Sequence, residues 1–212
     1  MNPKKSRRQR PRKKKSNKKL VLIIGFLAVI GLIAVVVAFT GWNNSRFSSG
    51  PIKVRIETSM GDLIIELRED MPITTGNFVD LVQQGIYDNT IFHRVVNLPG
   101  NLVIIQGGDP TGTGLGDPSI SSIPDEFSET PENNENRRGT IAMANKGMNF
   151  PNSGSSQFFI SGEYNSHLDN LHPVFGDVLE GMDVVDEILN VQTDENDKPV
   201  DDVILIAAQL VE

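Results

Sequence analysis

The sequence predicts a mainly β fold, an antiparallel closed barrel with two α-helices at its ends, preceded by a single transmembrane helix. Segments in which apolar and polar residues alternate recur from residue 52 to the end of the chain, and this period is typical of strands with one buried face. Only two segments have the periodicity of an amphipathic helix, and they do not alternate with strands as βαβ winding would require. An uncharged apolar segment near the N-terminus predicts the membrane helix.

The composition of the chain limits both its chemistry and its partners. Its 212 residues suffice for one globular domain with additional segments, and the absence of cysteine excludes disulfide bonds and thiolate chemistry. The net charge of −7 hides an asymmetry, because residues 1–19 contain eleven of the 20 Lys and Arg residues and no acidic residue. The remainder has 27 acidic residues and a charge of about −18, so it would repel phosphates, and we expect no nucleic-acid partner.

Three segments precede the globular domain, and the first is the basic stretch over residues 1–19. Residues 20–39 follow without a charged side chain, and their number matches the ~20 residues that a helix needs to cross a bilayer. Together they predict an uncleaved anchor. A cleaved signal peptide is the alternative, although the apolar region of a signal peptide usually has only ~7–15 residues. Residues 40–51, rich in Ser, Asn and Gly, predict a flexible linker.

The basic stretch also predicts how the chain is oriented. Cationic side chains beside a membrane span remain on the cytoplasmic side, where they meet anionic lipid headgroups. We therefore expect a single-pass protein of the cell membrane, with a cytoplasmic N-terminus and an extracytoplasmic domain over residues 52–212. Membrane lipids are the expected partners of residues 20–39 and of the basic N-terminus.

The domain begins with a predicted β-hairpin. Val54, Ile56 and Thr58 alternate with charged residues, and a tight turn leads into a second strand over residues 63–67. A helix is predicted next, over residues 74–84, because its apolar residues recur at three- and four-residue intervals.

The ends of this predicted helix have recognisable capping residues. Thr74 or Thr75 can serve as the N-cap, since a hydroxyl oxygen can accept a hydrogen bond from a free N–H group of the first turn. Gly85 stands where a C-cap glycine is expected.

The central stretch of the domain predicts a binding surface. Arg94 belongs to one short strand, a turn follows at Pro99 and Gly100, and a second apolar strand ends in Gln106. Such a hairpin offers an apolar floor with polar groups at its rim. It can hold a small apolar ring and hydrogen-bond the surrounding backbone, but it offers no nucleophile and no phosphate-binding loop.

The rest of the chain predicts more strands and one further helix. Residues 118–138 are polar and contain prolines, which indicates a long exposed segment. A second amphipathic helix is predicted where Met182, Val185, Ile188 and Leu189 share one face. The four further strands are predicted at residues 140–144, 157–161, 174–178 and 203–211.

Other chemistries find little support in the sequence. Gly112 to Gly116 lacks the Lys-Ser/Thr ending of a phosphate-binding loop, so we expect no nucleotide. The three histidines, His93, His167 and His172, do not have the spacing of a metal-ligand set, and we expect neither a metal nor a cofactor. The Gly-x-Ser-x-Gly motif of a serine hydrolase is missing.

Six sequence motifs resemble those of the cyclophilins and occur in the same order as in that family, and the resemblance covers residues 52–212. They are residues 92–96 (FHRVV), 106–110 (QGGDP), 123–127 (IPDEF), 139–145 (GTIAMAN), 154–160 (GSSQFFI) and 174–176 (VFG). The resemblance implies a closed eight-stranded antiparallel barrel capped by two helices, and it implies peptidyl-prolyl cis/trans isomerase activity. It is closest to the prokaryotic branch of the family, with a membrane anchor added.

The resemblance also implies the roles of individual residues. Arg94 matches the arginine that cyclophilins direct at the prolyl nitrogen, and Gln106 matches the glutamine that holds it. The family pattern assigns the remaining positions to the proline pocket, the backbone-binding surface and the adjoining peptide groove: Val103, Ile104, Ala144, Asn145, Gln157, Phe159, His167, Leu168 and His172.

The sequence departs from the family at the central hairpin. Many cyclophilins have Phe and Met where Val103 and Ile104 stand here, and four extra residues lie around Leu98 to Asn101. His167 stands where the cyclosporin-sensitive members of the family have tryptophan, so we expect weak binding of cyclosporin.

Two functions remain open at this point. The first is a membrane-tethered isomerase with a monomeric catalytic domain that acts on proline-containing unfolded or exported polypeptides. The second is a chaperone module that binds proline peptides in the same groove with little catalytic turnover.

Overall fold

The computed structural model describes residues 50–211, which form a sheet domain with two α-helices. The basic N-terminus, the expected membrane span and most of the expected linker lie outside this part of the chain. Among residues 50–211, no helix is long and apolar enough to cross a membrane.

Nine strands and two α-helices make up the domain. Helix α1 spans Pro72–Gln83 and helix α2 spans Met182–Leu189. The strands are β1 (Lys53–Thr58), β2 (Gly61–Leu67), β3 (Thr90–Ile91), β4 (Arg94–Leu98), β5 (Leu102–Gly107), β6 (Thr140–Met143), β7 (Phe158–Ser161), β8 (Val174–Glu180) and β9 (Ile204–Val211).

The strands form one curled antiparallel sheet in the order β3-β9-β1-β2-β8-β6-β7-β5-β4. The expectation of eight strands in a closed barrel needs correction, because the two-residue strand β3 is a ninth member. Within the described residues, the ladder ends at β3 and β4, which follow each other in the chain. An isolated bridge between Ile91 and Asp109 then connects β3 to the end of β5.

The alternation that predicted the first hairpin is observed. β1 and β2 pair in register from Lys53–Glu66 to Thr58–Gly61, and every second residue is buried. The buried face joins the main hydrophobic core, which also contains the rings of Phe78, Tyr87 and Phe158 in tilted and edge-to-face contacts. Full burial of a large apolar side chain contributes roughly 1.5–3 kcal/mol, so this core is the main stabilising feature of the domain.

Helix α1 begins earlier than the sequence predicted. Its N-cap is Met71, Pro72 occupies the first turn, and neither Thr74 nor Thr75 is the capping residue. Proline is favoured at this point because its missing N–H would have no partner there. Gly85 does adopt the expected left-handed conformation, with φ of 68°, and donates its N–H to Val82 O at 3.0 Å.

A residue distant in the chain supplies the missing cap of α1. The N–H and the hydroxyl of Thr74 both donate to Glu126 Oε2, at 2.8 and 3.0 Å, and the N–H of Ile73 donates to Glu126 Oε1 at 3.2 Å. The long polar segment before β6 is thereby fixed to the helix.

Candidate active site

Strands β4 and β5 place the two predicted catalytic residues opposite each other. Arg94 begins β4 and is the register partner of Gln106 near the end of β5. The side-chain amide of Gln106 donates to Gln157 Oε1 at 3.0 Å, and Gln157 Nε2 donates to Gly114 O at 3.0 Å. These linked amides form a polar rim, and Gln106 within it is the register partner of Arg94.

A second hydrophobic cluster lies on the face of the sheet that Gln106 shares. On β5 the side chains alternate, so Ile105 enters the main core whereas Ile104 faces the other way. We call this second cluster the groove cluster, and it consists of Val96, Ile104, Ala142, Phe159 and Val174, with Leu102, Ala144 and Leu168 packed against it.

Phe159 and His172 form one aromatic wall of this site. Their ring centroids are 5.3 Å apart with an interplanar angle of 83°, an edge-to-face arrangement. Burial lowers the pKa of His172, and the contact of its Nδ1 with Met143 O at 3.4 Å offsets part of this effect. The ring is therefore neutral at pH 7 and compatible with an apolar ligand.

The peptide-binding residues expected beside the pocket occupy ordered positions. Asn145 donates its side-chain amide to Leu171 O at 2.8 Å, while its Oδ1 accepts the N–H of Gly147 at 2.9 Å. His167 is exposed in a short 3₁₀ turn that ends at Leu168.

Val103 is located on the opposite face from the other predicted pocket residues. It belongs to the main core together with Ile105, because β5 places every second side chain there. The side chain of Asn165 accepts the N–H of Val103 at 3.0 Å and donates to its carbonyl at 3.1 Å. Ile104 is therefore the residue of this pair that contributes to the groove cluster.

Arg94 has a carboxylate partner that the sequence analysis did not identify. Oδ2 of Asp197 lies 3.4 Å from both Nε and Nη2 of Arg94, and the two side chains are 40% and 43% exposed. Asp197 belongs to the acidic turn over residues 194–197, and it approaches Arg94 from 103 residues further along the chain.

The glycine-rich segment after β5 contacts the polar rim, because Gly114 accepts a hydrogen bond from Gln157. Asp109 is fully buried, and its carboxylate accepts the N–H groups of Thr111, Gly114 and Gly116 at 2.7 to 3.1 Å. Burial alone would raise the pKa of Asp109, but these hydrogen bonds outweigh it and lower the pKa. The N–H groups of this segment thus bind the carboxylate of Asp109, and the segment contains Gly114, whose carbonyl accepts a hydrogen bond from Gln157.

Three further contributors to the site lie inside the family motifs at residues 92–96, 139–145 and 174–176, but the motifs did not single them out. Val96, Ala142 and Val174 are ordinary strand residues, and only the sheet register shows that they face Phe159. Val96 belongs to the motif at residues 92–96, but the adjacent Val95 is buried as well, so the motif alone did not show which of the two faces the groove.

Comparison with known proteins identifies the class to which this fold and site belong. The family model described as cyclophilin-type peptidyl-prolyl cis-trans isomerase matches residues 53–210. The chain belongs to this family, and it is a peptidyl-prolyl cis-trans isomerase, an enzyme of class EC 5.2.1.8.

Several relatives have substantial identity over nearly their whole length. The peptidyl-prolyl cis-trans isomerase CYP18-2 of Arabidopsis thaliana is 39% identical over 172 residues, which cover 80% of this chain and 99% of the relative. The human peptidyl-prolyl cis-trans isomerase-like 1 is 40% identical over 74% of this chain and 92% of its own length. Both are eukaryotic, and they give no support to the expected affinity with the prokaryotic branch.

A solved structure shows the same fold. The crystal structure of a cyclophilin-type peptidyl-prolyl cis-trans isomerase from Cryptosporidium parvum superposes with a TM-score of 0.69 at 34% identity, covering 77% of this chain and 99% of that one. A second structure of that protein, determined in the presence of the dipeptide Ala-Pro, has a TM-score of 0.68.

Proposed function

We propose that Arg94 accelerates the isomerisation by stabilising the twisted prolyl amide, while the groove cluster holds the proline ring. The observation behind this proposal is the strand register, which pairs Arg94 with Gln106 and Gln106 with Phe159. Gln106 also donates to Gln157, and its face of the sheet contains Ile104 and Phe159.

The barrier of this reaction explains why one cation is sufficient. Rotation about the X–Pro bond breaks amide resonance and therefore has an energy barrier of ~18–20 kcal/mol. No bond has to be made. When resonance is lost, the prolyl nitrogen gains a lone pair, and a positive donor directed at it stabilises the twisted state more than either planar state. A 10⁴–10⁵-fold acceleration requires only ~5.5–7 kcal/mol.

The groove residues bind two different parts of the substrate, the proline ring and the backbone before it. Ile104, Phe159 and Leu168 offer apolar surface for the pyrrolidine ring, and the neutral ring of His172 extends it. We expect Gln157 to hydrogen-bond the peptide backbone before the proline, because its hydrogen bonds to the Gln106 amide and the Gly114 carbonyl fix its orientation. The proposed substrates are therefore proline-containing segments of unfolded chains.

We also propose that these substrates are exported polypeptides outside the cytoplasmic membrane. This part rests on the sequence of residues 1–39, where a basic stretch precedes an uncharged apolar one. An anchor of this kind would keep the isomerase close to chains as they leave the membrane.

The role of Arg94 can be tested on residues 50–212, since relatives that consist almost entirely of this domain exist. We expect Arg94→Ala to lower kcat/KM for a proline peptide by about 10²–10³-fold, as for the loss of a single transition-state donor. Arg55→Ala is the matched control, because Arg55 on the distant strand β1 is 44% exposed and is paired with Asp62 of β2. NMR exchange spectroscopy measures the cis/trans exchange rate of the peptide with each variant, and it needs no coupling protease.

The same experiment separates the enzyme from a chaperone with little turnover. If the wild-type domain binds the peptide without increasing its exchange rate, the chaperone function is correct. If the Arg94→Ala variant catalyses cis/trans exchange of the peptide as fast as wild type, the proposed role of Arg94 is wrong.

A further inference from the structure

We propose that Asp197 is a positioning residue that orients the Arg94 guanidinium for catalysis. The inference rests on the proposed role of Arg94 and adds a second residue to the same step. Asp197 lies in the turn between α2 and β9, and its carboxylate is the ion-pair partner of Arg94 within residues 50–211.

The turn that contains Asp197 is built to hold one conformation. Oδ1 of Asp194 accepts the N–H groups of Asn196 and Lys198, at 2.8 and 3.0 Å, and the N–H of Asp194 donates to Lys198 O at 2.8 Å. A bridge between Thr193 and Pro199 closes the base of the turn. The acidic turn is thus well structured. Asp194 stabilises it from within, and the side chain of Asp197 projects towards Arg94.

The backbone of Asp197 attaches this turn to the catalytic strand. Its carbonyl accepts the N–H of Val95 at 2.7 Å, on the free edge of β4. Asp197 has φ of 62°, a left-handed conformation that Asp and Asn tolerate better than other residues with a side chain. One residue therefore holds the strand that begins at Arg94 and also contacts the guanidinium.

The contact leaves part of the guanidinium available for a substrate. Asp197 Oδ2 faces the edge formed by Nε and Nη2, and the N–H groups of Nη1 remain for another acceptor. Distances of 3.4 Å are longer than those of a tight charge-assisted hydrogen bond, so the guanidinium can still shift towards a twisted amide.

A carboxylate beside a catalytic cation has two opposite effects. It limits the range of orientations of the flexible arginine side chain, which reduces the rearrangement required in the transition state. It also weakens the positive potential that acts on the prolyl nitrogen. Because both side chains are about 40% exposed, solvent screens the second effect, and orientation is the larger one.

The test compares two substitutions in the full-length chain. Asp197→Asn removes the charge but keeps a residue suited to the left-handed backbone and keeps the carbonyl that binds Val95. Glu195→Gln makes the same change of charge in the same turn, at an exposed position. We expect Asp197→Asn to lower kcat by about two- to fivefold with little change in KM, and Glu195→Gln to behave as wild type.

Salt provides a readout that a structural role would not change. The ratio of the wild-type rate to the Asp197→Asn rate should fall towards one between 20 mM and 500 mM NaCl, because screening removes the ion pair from the wild-type protein. Unchanged melting temperatures would exclude an effect on folding. A ratio that is independent of salt, or an Asp197→Asn rate equal to or above that of wild type, would overturn the proposal.

A double-mutant cycle separates this inference from the proposed function. In an Arg94→Lys background, Asp197→Asn should have a smaller effect than in wild type, since lysine lacks the planar edge that faces Asp197. If Arg94→Ala abolishes activity but Asp197→Asn does not alter it, only the positioning role fails. If Arg94→Ala has no effect, both fail together.

Discussion

At the scale of single residues, strand alternation decides which side chains can reach a substrate. Val103 and Ile104 were expected to line the same pocket, yet they lie on opposite faces of β5. The register pairing of Val96 with Ile104 places these two side chains together in the groove cluster. Hence only one residue of two neighbours on a strand faces the groove. The resemblance to the family could not show whether this was Val103 or Ile104.

Histidine chemistry gives a prediction at this scale. Burial lowers the pKa values of both His93 and His172, with Asp109 partly offsetting the effect at His93. In an NMR titration we expect both rings to take up a proton below pH 6.5, the usual value. A midpoint above 6.5 for either ring would contradict this assignment.

The same pKa shifts make the stability of the domain depend on pH. The unfolded chain protonates these histidines near pH 6.5, whereas the folded chain does so at lower pH, so the unfolded state binds more protons between the two values. The free energy of unfolding should therefore decrease as the pH falls from 7.5 to 5.5. Urea denaturation of His172→Gln should show a shallower dependence over this interval.

At the scale of secondary structure, the local signals located the elements well. The 3.6-residue period predicted α1 and α2, and the alternating period predicted most strands to within a few residues. The start of α1 was wrong because its cap is not local. Glu126 binds the first turn from 52 residues away, and a search for Ser or Thr beside the helix cannot detect it.

The cap from Glu126 leads to a prediction for α1. Glu126→Ala removes the acceptor of three donors in the first turn, and capping contacts of this kind contribute about 1–2 kcal/mol. Urea denaturation should show a loss of that size in the free energy of unfolding. Glu129→Ala, an exposed residue of the same segment, is the control and should change it by less than about 0.5 kcal/mol.

The β4–β5 hairpin shows how an insertion is accommodated at this scale. The register pairs Arg94 with Gln106 and Leu98 with Leu102, so the four extra residues lengthen the hairpin without moving the arginine away from the glutamine. The tip is fixed where the N–H of Gly100 donates to Glu163 Oε1 at 2.6 Å. The insertion therefore extends the hairpin beyond the site.

At the scale of the whole molecule, the sheet brings distant segments to one surface. The groove cluster joins residues from β4, β5, β6, β7 and β8, and the turn before β9 adds Asp197. Binding therefore depends on the complete sheet rather than on any single motif.

The membrane anchor remains a prediction, and it belongs to this scale because it places the entire domain. If residues 20–39 span the membrane with the basic N-terminus inside, protease added to intact cells should degrade the domain, and permeabilisation should not be needed. A cytoplasmic protein of known location is the internal control. Protection of the domain until the membrane is opened would contradict the predicted orientation.

The sequence by itself determined the family, the two α-helices of the domain, the order of most strands and the candidate residues Arg94 and Gln106. Periodicity and contiguous motifs are local properties, and a single chain displays them without folding. Tertiary structure decided the face on which Val103 lies, the partner of Arg94 and the cap of α1. These features depend on register and on contacts across 52 to 103 residues, and only the packed sheet brings such residues within bonding distance.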